Sequence, residues 1–165
     1  MRSHAKSTLT AQPCKTLRTD AQAILEACAG CNVRLAARRI TQFMDHALSG
    51  SGLSLAQLGL MAQIAAAADD TLGALARRSG LEQSTLSRNL RTLEAQGLIE
   101  IALVEADQRR RAVWLTEAGA RRLEAAVPAW RRAHARLARH VPPSLARRLA
   151  DATDALTKDG RSTWE

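Results

Sequence analysis

Arg88 and Arg91 stand three residues apart in the stretch Glu82 to Gln96, where Leu86, Leu90 and Leu93 recur at helical spacing. On a helix turning about 100° per residue, those leucines fall within about 60° of one another. Ser84, Ser87, Arg88 and Arg91 then occupy the opposite side, with Thr85 beside them near the helix start. A guanidinium carries a fork of donors that fits the edge of a guanine or two phosphate oxygens, and small hydroxyls near a helix start can approach phosphates or base edges. This face is therefore suited to recognising a polyanion. Taken alone, such a helix reads more plainly as a solvated surface, so its flanks decide between the two.

Two further groups have chemical potential. Asp107 precedes Arg109, Arg110 and Arg111 in a polar segment, Glu105 to Arg111, that is expected to turn the chain. Consecutive arginines on a turn suit the concentrated negative potential of a narrow DNA minor groove, and Asp107 can pair with one of them. The alternative is a simple charged turn. Cys28 and Cys31 are three apart on an expected first helix, so they share a face there and can form a strained disulfide or bind a soft metal with ligands from elsewhere. Arg34 is near enough to lower a thiol pKa, whereas cysteines among Ala and Leu are commonly inert packing residues. His46, His134 and His140 lie far from the cysteines in sequence and His4 in the N-terminal arm, so no metal site is expected. No glycine-rich phosphate loop, paired carboxylates or Ser/His/Asp arrangement supports catalysis, and neither an enzyme nor a cofactor is expected.

The elements that must position these residues follow from periodicity and punctuation. Residues 1–17 mix small polar and basic residues without period and are expected to form a flexible arm. One long helix is expected from Asp20 to Leu48, ended by Ser49-Gly50-Ser51-Gly52, and a second from the N-cap Ser54 to about Ala67. Leu72–Arg78 and Glu82–Gln96 are separated only by Ser79-Gly80-Leu81, which is helix-turn-helix spacing. Gly97 suits a left-handed C-terminal cap, Leu98–Val104 reads as a strand, and Ala112–Leu115 returns as a second. The pair is the wing. A long helix is expected from Thr116 to about His140 with a kink at Pro128, and a last one from Ser144 to about Thr157, leaving 158–165 as a flexible tail. The fold class is thus mainly α with a small β-hairpin wing.

Composition agrees. The chain of 165 residues is 46% hydrophobic but only 2% aromatic, so its core is aliphatic helix packing. Twenty-four Lys and Arg against sixteen acids give a net charge of +8, which attracts polyanions. No apolar run approaches the roughly 20 residues needed to span a bilayer, and Met1–Lys6 does not lead into a signal-peptide core, so a soluble cytoplasmic protein with no membrane partner is expected. Three cysteines, Cys14 included, do not make a secreted disulfide framework. From Pro128 to Ala150 there are six arginines and no acid, which reads first as a solvated helix face and alternatively as extra contact with flanking DNA.

The ordered set Leu72-Gly-Ala-Leu-Ala-Arg-Arg-Ser-Gly-Leu81, Ser84-Thr-Leu-Ser-Arg88, Leu93-Glu-Ala-Gln-Gly-Leu-Ile99, Asp107-Gln-Arg109 and Leu115-Thr-Glu-Ala-Gly119 resembles the MarR family over roughly residues 24 to 157. The resemblance implies a winged helix-turn-helix at 53–115 with N- and C-terminal dimerisation helices at 18–52 and 116–157. It implies a homodimer that binds pseudo-palindromic operator DNA, with half-sites about 10 to 10.5 bp apart, as a regulator of transcription, usually a repressor. It places Ser84, Thr85, Ser87, Arg88 and Arg91 at recognition-helix positions, Arg109 at the wing arginine that enters the minor groove, and Asp107 as its supporting acid. Family members release DNA on binding a small lipophilic ligand or on oxidation; Phe43, Trp114 and Trp130 are ring surfaces for such a ligand, and Cys31 resembles the reactive cysteine of the hydroperoxide-sensing branch. That branch activates its thiol with tyrosines, and this chain has none. A sequence-nonspecific architectural DNA-binding protein, or a protein-interaction module of the same fold, remain the alternatives.

Overall fold

The computed structural model describes residues 16–67, 71–104 and 107–159. In order these form α1 (Leu17–Ala27), α2 (Ala29–Leu48), a 3-10 turn (Ser49–Ser51), α3 (Leu55–Ala65), α4 (Leu72–Ser79), α5 (Gln83–Ala95), β1 (Ile99–Val104), β2 (Asp107–Leu115), α6 (Glu117–Ala138) and α7 (Pro143–Asp159). The chain divides into two compact units, Met1–Arg39 and Ile40–Glu165. The expected arm lies outside the described residues up to position 15, as do Asp69 and Asp70 and the tail from position 160.

In the first unit the expected single helix is two. Cys28 is in extended conformation (φ −71°, ψ 105°) and separates α1 from α2. Gly30 follows in a sequence that already has a poor helix former at Cys28, so continuing the helix costs backbone entropy with no packing to offset it. Cys28 closes one helix and opens the next: its N–H donates to Ile24 O (3.0 Å), and its carbonyl accepts from Asn32 N (3.1 Å). Asn32 Nδ2 also donates to Glu26 O (3.1 Å) across the break.

The second unit is built around an aliphatic core of Leu48, Leu53, Leu58, Leu60, Met61, Ile64, Leu75, Leu86, Leu90, Leu93, Leu98, Ile99, Val113 and Ala126. The starts of three of its helices are capped by side chains. Ser54 and Gln57 form a capping box on α3, with Ser54 Oγ accepting from Gln57 N (3.2 Å) and Gln57 Oε1 from Ser54 N (2.9 Å). Asp45 Oδ1 accepts from Leu55 N (2.6 Å), tying the end of α2 to the start of α3 and satisfying another of its open donors. Thr71 caps α4 and Thr116 caps α6, accepting from Ala74 N and Gly119 N respectively.

β1 and β2 pair antiparallel, with Ile99 opposite Leu115, Glu100 opposite Trp114 and Ile101 opposite Val113, so the buried and exposed sides alternate as a ribbon requires. Thr71 adds an isolated bridge to Ala112, attaching the start of α4 to the ribbon. α6 runs through Pro128 without ending.

Of the glycines described, Gly119 has the least room. A Cβ there would lie 1.9 Å from Leu98 O, so only glycine lets the first turn of α6 rest on the start of the ribbon. Around that contact Thr116 N donates to Leu98 O (3.1 Å) and Thr116 Oγ1 donates to Gly97 O (2.7 Å). The Leu115–Gly119 motif is thus a clasp joining the end of α5, the base of the wing and the start of α6.

Candidate nucleic-acid interface

α5 meets the expectation set by its periodicity. Leu86, Leu90 and Leu93 are buried, and Ser84, Thr85, Arg88 and Arg91 are exposed, with Ser87 half-buried. Left-handed glycines set its approach and exit, Gly80 at φ 60° after α4 and Gly97 at φ 66° after α5. Any residue with a Cβ is strained at both.

Ser84, Ser87, Arg88 and Arg91 are brought together as the lining of one open groove of about 680 Å³, which Thr92, Ala95 and Gln96 complete. Among the described residues neither arginine is in an ion pair, in contrast to Arg121, which pairs with Glu117 one turn away on α6. Thr85 lies on the helix but not in the groove lining, and its carbonyl accepts from Asn89 Nδ2 (3.1 Å). Thr92 and Gln96 were missed by the sequence reading, although Thr92 follows Arg88 by one helical turn and so lies on the same stripe. The hydroxyl of Thr92 donates to Arg88 O (3.0 Å).

The wing differs from the expectation. β2 begins at Asp107, not at Ala112, so Arg109, Arg110 and Arg111 belong to a strand and not to the turn. The physical reason is pairing: Leu103 lies opposite Arg111 and Val104 opposite Asp107, and the irregularity between Leu103 and Val104 takes up positions 108–110, so the strand resumes at Asp107. Arg111 is exposed. The side chains of Asp107, Arg109 and Arg110 lie outside what is described, and so does the expected pairing of Asp107 with an arginine.

The cysteines also differ. They do not share a helix face, because Cys28 sits in the break between α1 and α2 and Cys31 in the first turn of α2. Cys28 Sγ accepts from Cys31 N (3.5 Å), the position of an N-cap bond. That bond, with a second from the Cys31 thiol, holds the Cys28 thiol below its ordinary pKa. The Cys31 thiol is raised, first by the bond it gives to Cys28 and then by the charge there; Arg34 acts in the lowering direction, as expected, but is outweighed. Cys28 is half-buried and Cys31 exposed within the chain.

Of the rings, Phe43 carries the Arg136 guanidinium 5.2 Å from its centroid, and Trp114 is partly exposed with its Nε1 donating to Glu100 Oε2 (3.1 Å). Trp130 stacks on His134 at 5.2 Å. It also lines an apolar cleft of about 470 Å³ between α3 and α6, together with Leu55, Leu58, Ala62, Leu123 and Val127. No group of three or more His, Cys, Asp or Glu that could hold a metal occurs among the described residues, and no helix of them is long and apolar enough to cross a membrane.

Two helices joined by a tight glycine turn, followed by a two-stranded ribbon clasped to a long helix, define a winged helix-turn-helix protein. The sequence profile of the MarR family matches residues 51–110. The transcriptional regulator MosR of M. tuberculosis, solved in complex with DNA, is 35% identical over 79% of this chain and 97% of that one, with a TM-score of 0.72. The chain belongs to the MarR family. The fold is shared further with S. aureus MepR in its DNA complex (22% identity, 79% of this chain and 97% of that, TM-score 0.65) and with a mutant E. coli MarR complexed with operator DNA (20%, 81% and 96%, 0.68). Among curated proteins none matches the sequence.

Proposed function

We propose that the protein is a sequence-specific DNA-binding regulator of transcription, acting as a homodimer on a pseudo-palindromic operator and most simply as a repressor. The observation that carries this reading is the groove of α5, where Arg88 and Arg91 stand exposed beside Ser84 and Ser87 and, among the described residues, without an ion pair. Buried or paired arginines would be structural; these have donors to give. In this reading α5 enters the major groove, where Arg88 and Arg91 contact guanine edges or phosphates and Ser84, Thr85 and Ser87 approach the backbone or base edges. Arg109, Arg110 and Arg111 of the wing reach the adjacent minor groove.

Residues 53–115 then form the reading domain, and 18–52 with 116–157 the dimerisation helices. Support for dimerisation is the apolar surface that a single chain leaves open: Leu17, Ile24 and Leu25 of α1 are 55%, 60% and 69% exposed, and Leu145, Leu149 and Leu156 of α7 are 47%, 43% and 66% exposed. Helices with one apolar stripe are stable in water when that stripe is covered. Control by a small lipophilic ligand is supported by the apolar cleft between α3 and α6, and control by oxidation by the cysteine pair. Localisation follows as cytoplasmic and nucleoid-associated.

Competition binding tests the reading. Labelled DNA from the protein's own upstream region is challenged at physiological salt with unlabelled copies of itself and with shuffled DNA. Specific regulation requires the native sequence to compete at least tenfold better; equal competition would establish a sequence-nonspecific architectural protein instead.

A further inference from the structure

From Pro128 to Ala150 the chain carries six arginines and no acid, and α6 gathers part of that charge on one face. On a helix turning about 100° per residue, Arg122, Arg132, Arg136 and the C-capping Arg139 fall within about 100° of one another, while the acids Glu117 and Glu124 lie outside that arc. All four arginines are exposed, and among the described residues none is in an ion pair. At about 1.5 Å of rise per residue they extend along about 25 Å of helix. Arg122 and Arg132 line a groove of about 630 Å³ between the end of α2 and α6; no acid lines it, and small residues, Ala47, Gly50, Ala125 and Ala129, make up much of the rest. Two of the arginines are held in place. Arg122 Nη1 donates to Ser51 O (3.2 Å), and Gly52, left-handed at φ 71°, leaves it room, since a Cβ there would come within 2.9 Å of Arg122 Nη1. Arg136 lies over the Phe43 ring at 5.2 Å.

We propose that this face of α6 is a second nucleic-acid surface, separate from α5, which grips a phosphodiester backbone and does not read its bases. Each guanidinium offers a fork of donors to phosphate oxygens. A row of charges about 25 Å long matches a polyanion whose charge repeats along a chain, not one compact anion. The groove offers little to base edges: Ala, Gly and Pro carry no side-chain donor, the Ser51 hydroxyl donates to Leu48 O (2.6 Å), and Phe43 already carries the Arg136 guanidinium where a base would stack. An acidic protein partner is disfavoured by the same lining, which has no large apolar side chain for an anchor to pack against. A second copy is disfavoured because like charges would meet. The surface stands whether or not α5 reads an operator.

The test uses the full chain carrying Arg88→Ala and Arg91→Ala, so that α5 contributes least, with labelled oligothymidine and a labelled duplex of shuffled sequence as probes and anisotropy as the readout. At least one is expected to bind, the tighter naming the form the groove prefers, with log affinity falling linearly against log salt. Adding Arg132→Gln, Arg136→Gln and Arg139→Gln is expected to weaken that binding at least tenfold and to lower the slope by about 2 for the single strand or about 3 for the duplex. Glutamine keeps the helix propensity of α6, and Arg122 keeps its bond to Ser51 O, so the fold is retained. Lysine at the same three positions keeps the charge and is expected to keep most of the affinity; a loss as large as that of the glutamines would overturn the proposal. So would binding of neither probe, an unchanged affinity and slope in the glutamine variant, or equal displacement by polyglutamate, which would point to an acidic protein. If light scattering showed the glutamine variant in a different oligomeric state from its background, the face would be an interface between copies and the proposal would fail.

Discussion

Gly119→Ala tests the clasp that places the wing. The added Cβ would come within 1.9 Å of Leu98 O, 2.9 Å of Leu98 C and 3.3 Å of Leu98 Cα. All three are backbone atoms, so no side chain can swing aside, and the start of α6 must retreat by about 1 Å or more to reach ordinary contact. Retreat stretches the bonds from Thr116 N to Leu98 O and from Thr116 Oγ1 to Gly97 O, and loosens the packing of the buried Leu98. Two hydrogen bonds at about 1 kcal/mol each and an overpacking cost of about 1 to 3 kcal/mol give a loss of about 3 to 5 kcal/mol. That is a large share of the roughly 5 to 15 kcal/mol available to a domain. Thermal unfolding followed by circular dichroism, at one fixed protein concentration, should show Tm lower by about 6 to 20 °C, at about 2 to 4 °C per kcal/mol for a chain of this size. Gly59→Ala is the counterpart: it is helical, and a Cβ there meets nothing within 4 Å, so a gain of about 0.5 to 1 kcal/mol is expected. If both variants melted together with the parent, α6 would not rest on the Leu98 carbonyl and the clasp would be wrong.

Arg88→Ala and Arg91→Ala are each expected to weaken operator binding by about 1 to 3 kcal/mol and to relax base preference, measured by anisotropy against operators altered one base pair at a time; unchanged affinity in both would remove α5 as the reader. Arg111→Ala, on the wing, is expected to weaken all sequences alike and to lower the slope of log affinity against log salt by about 1, and a loss confined to one operator base would contradict a backbone or groove role. The double change Leu145→Glu with Leu149→Glu puts charge on the open stripe of α7; light scattering is expected to report a dimer for the parent and a monomer for the variant. Asp45→Ala removes the acceptor of Leu55 N, and urea unfolding is expected to show about 1 to 2 kcal/mol lost, with no loss counting against Asp45 as a helix-start anchor.

Helix α5 was legible because one residue pattern served two physical ends. Leu86, Leu90 and Leu93 at spacings of four and three are both a core stripe and a statement of which face is left for solvent, and the glycines at 80 and 97 mark the places where the chain must turn left-handed. The start of α3 at Ser54 and the start of α6 at Thr116 were legible for the same reason, since caps are local. Two features were not. Arg109–Arg111 look like a turn by composition, because strand pairing is a property of two segments and Leu103 opposite Arg111 cannot be read from either alone. The break at Cys28 was hidden by apolar residues, Ile24 to Leu48, spaced closely enough to suggest one continuous helix from Asp20 to Leu48. Gly30 was the available signal, and a cysteine acting as an N-cap is rare enough to be overlooked.

The clasp constrains how any signal acting on α6 can reach DNA. Gly97, which ends α5, and Thr116, which starts α6, are joined directly by the 2.7 Å bond between them, and Leu98 holds the wing base to the same helix. α5, the ribbon and the first turn of α6 therefore cannot move independently without breaking these hydrogen bonds, at about 0.5 to 1.5 kcal/mol each. A ligand entering the apolar cleft touches α3 and α6 through Leu58, Leu123 and Trp130, none of which contributes to the α5 groove. Its cheapest effect is to re-aim the reading unit as a rigid body and leave the fold of α5 unchanged. In a two-fold dimer such re-aiming changes the separation of the two reading helices, against which DNA offers only half-sites about one turn apart. On this reasoning, effector-bound protein would keep the hydrogen-exchange protection of α5 while losing operator affinity, and an effector that unprotects α5 would show that the clasp opens.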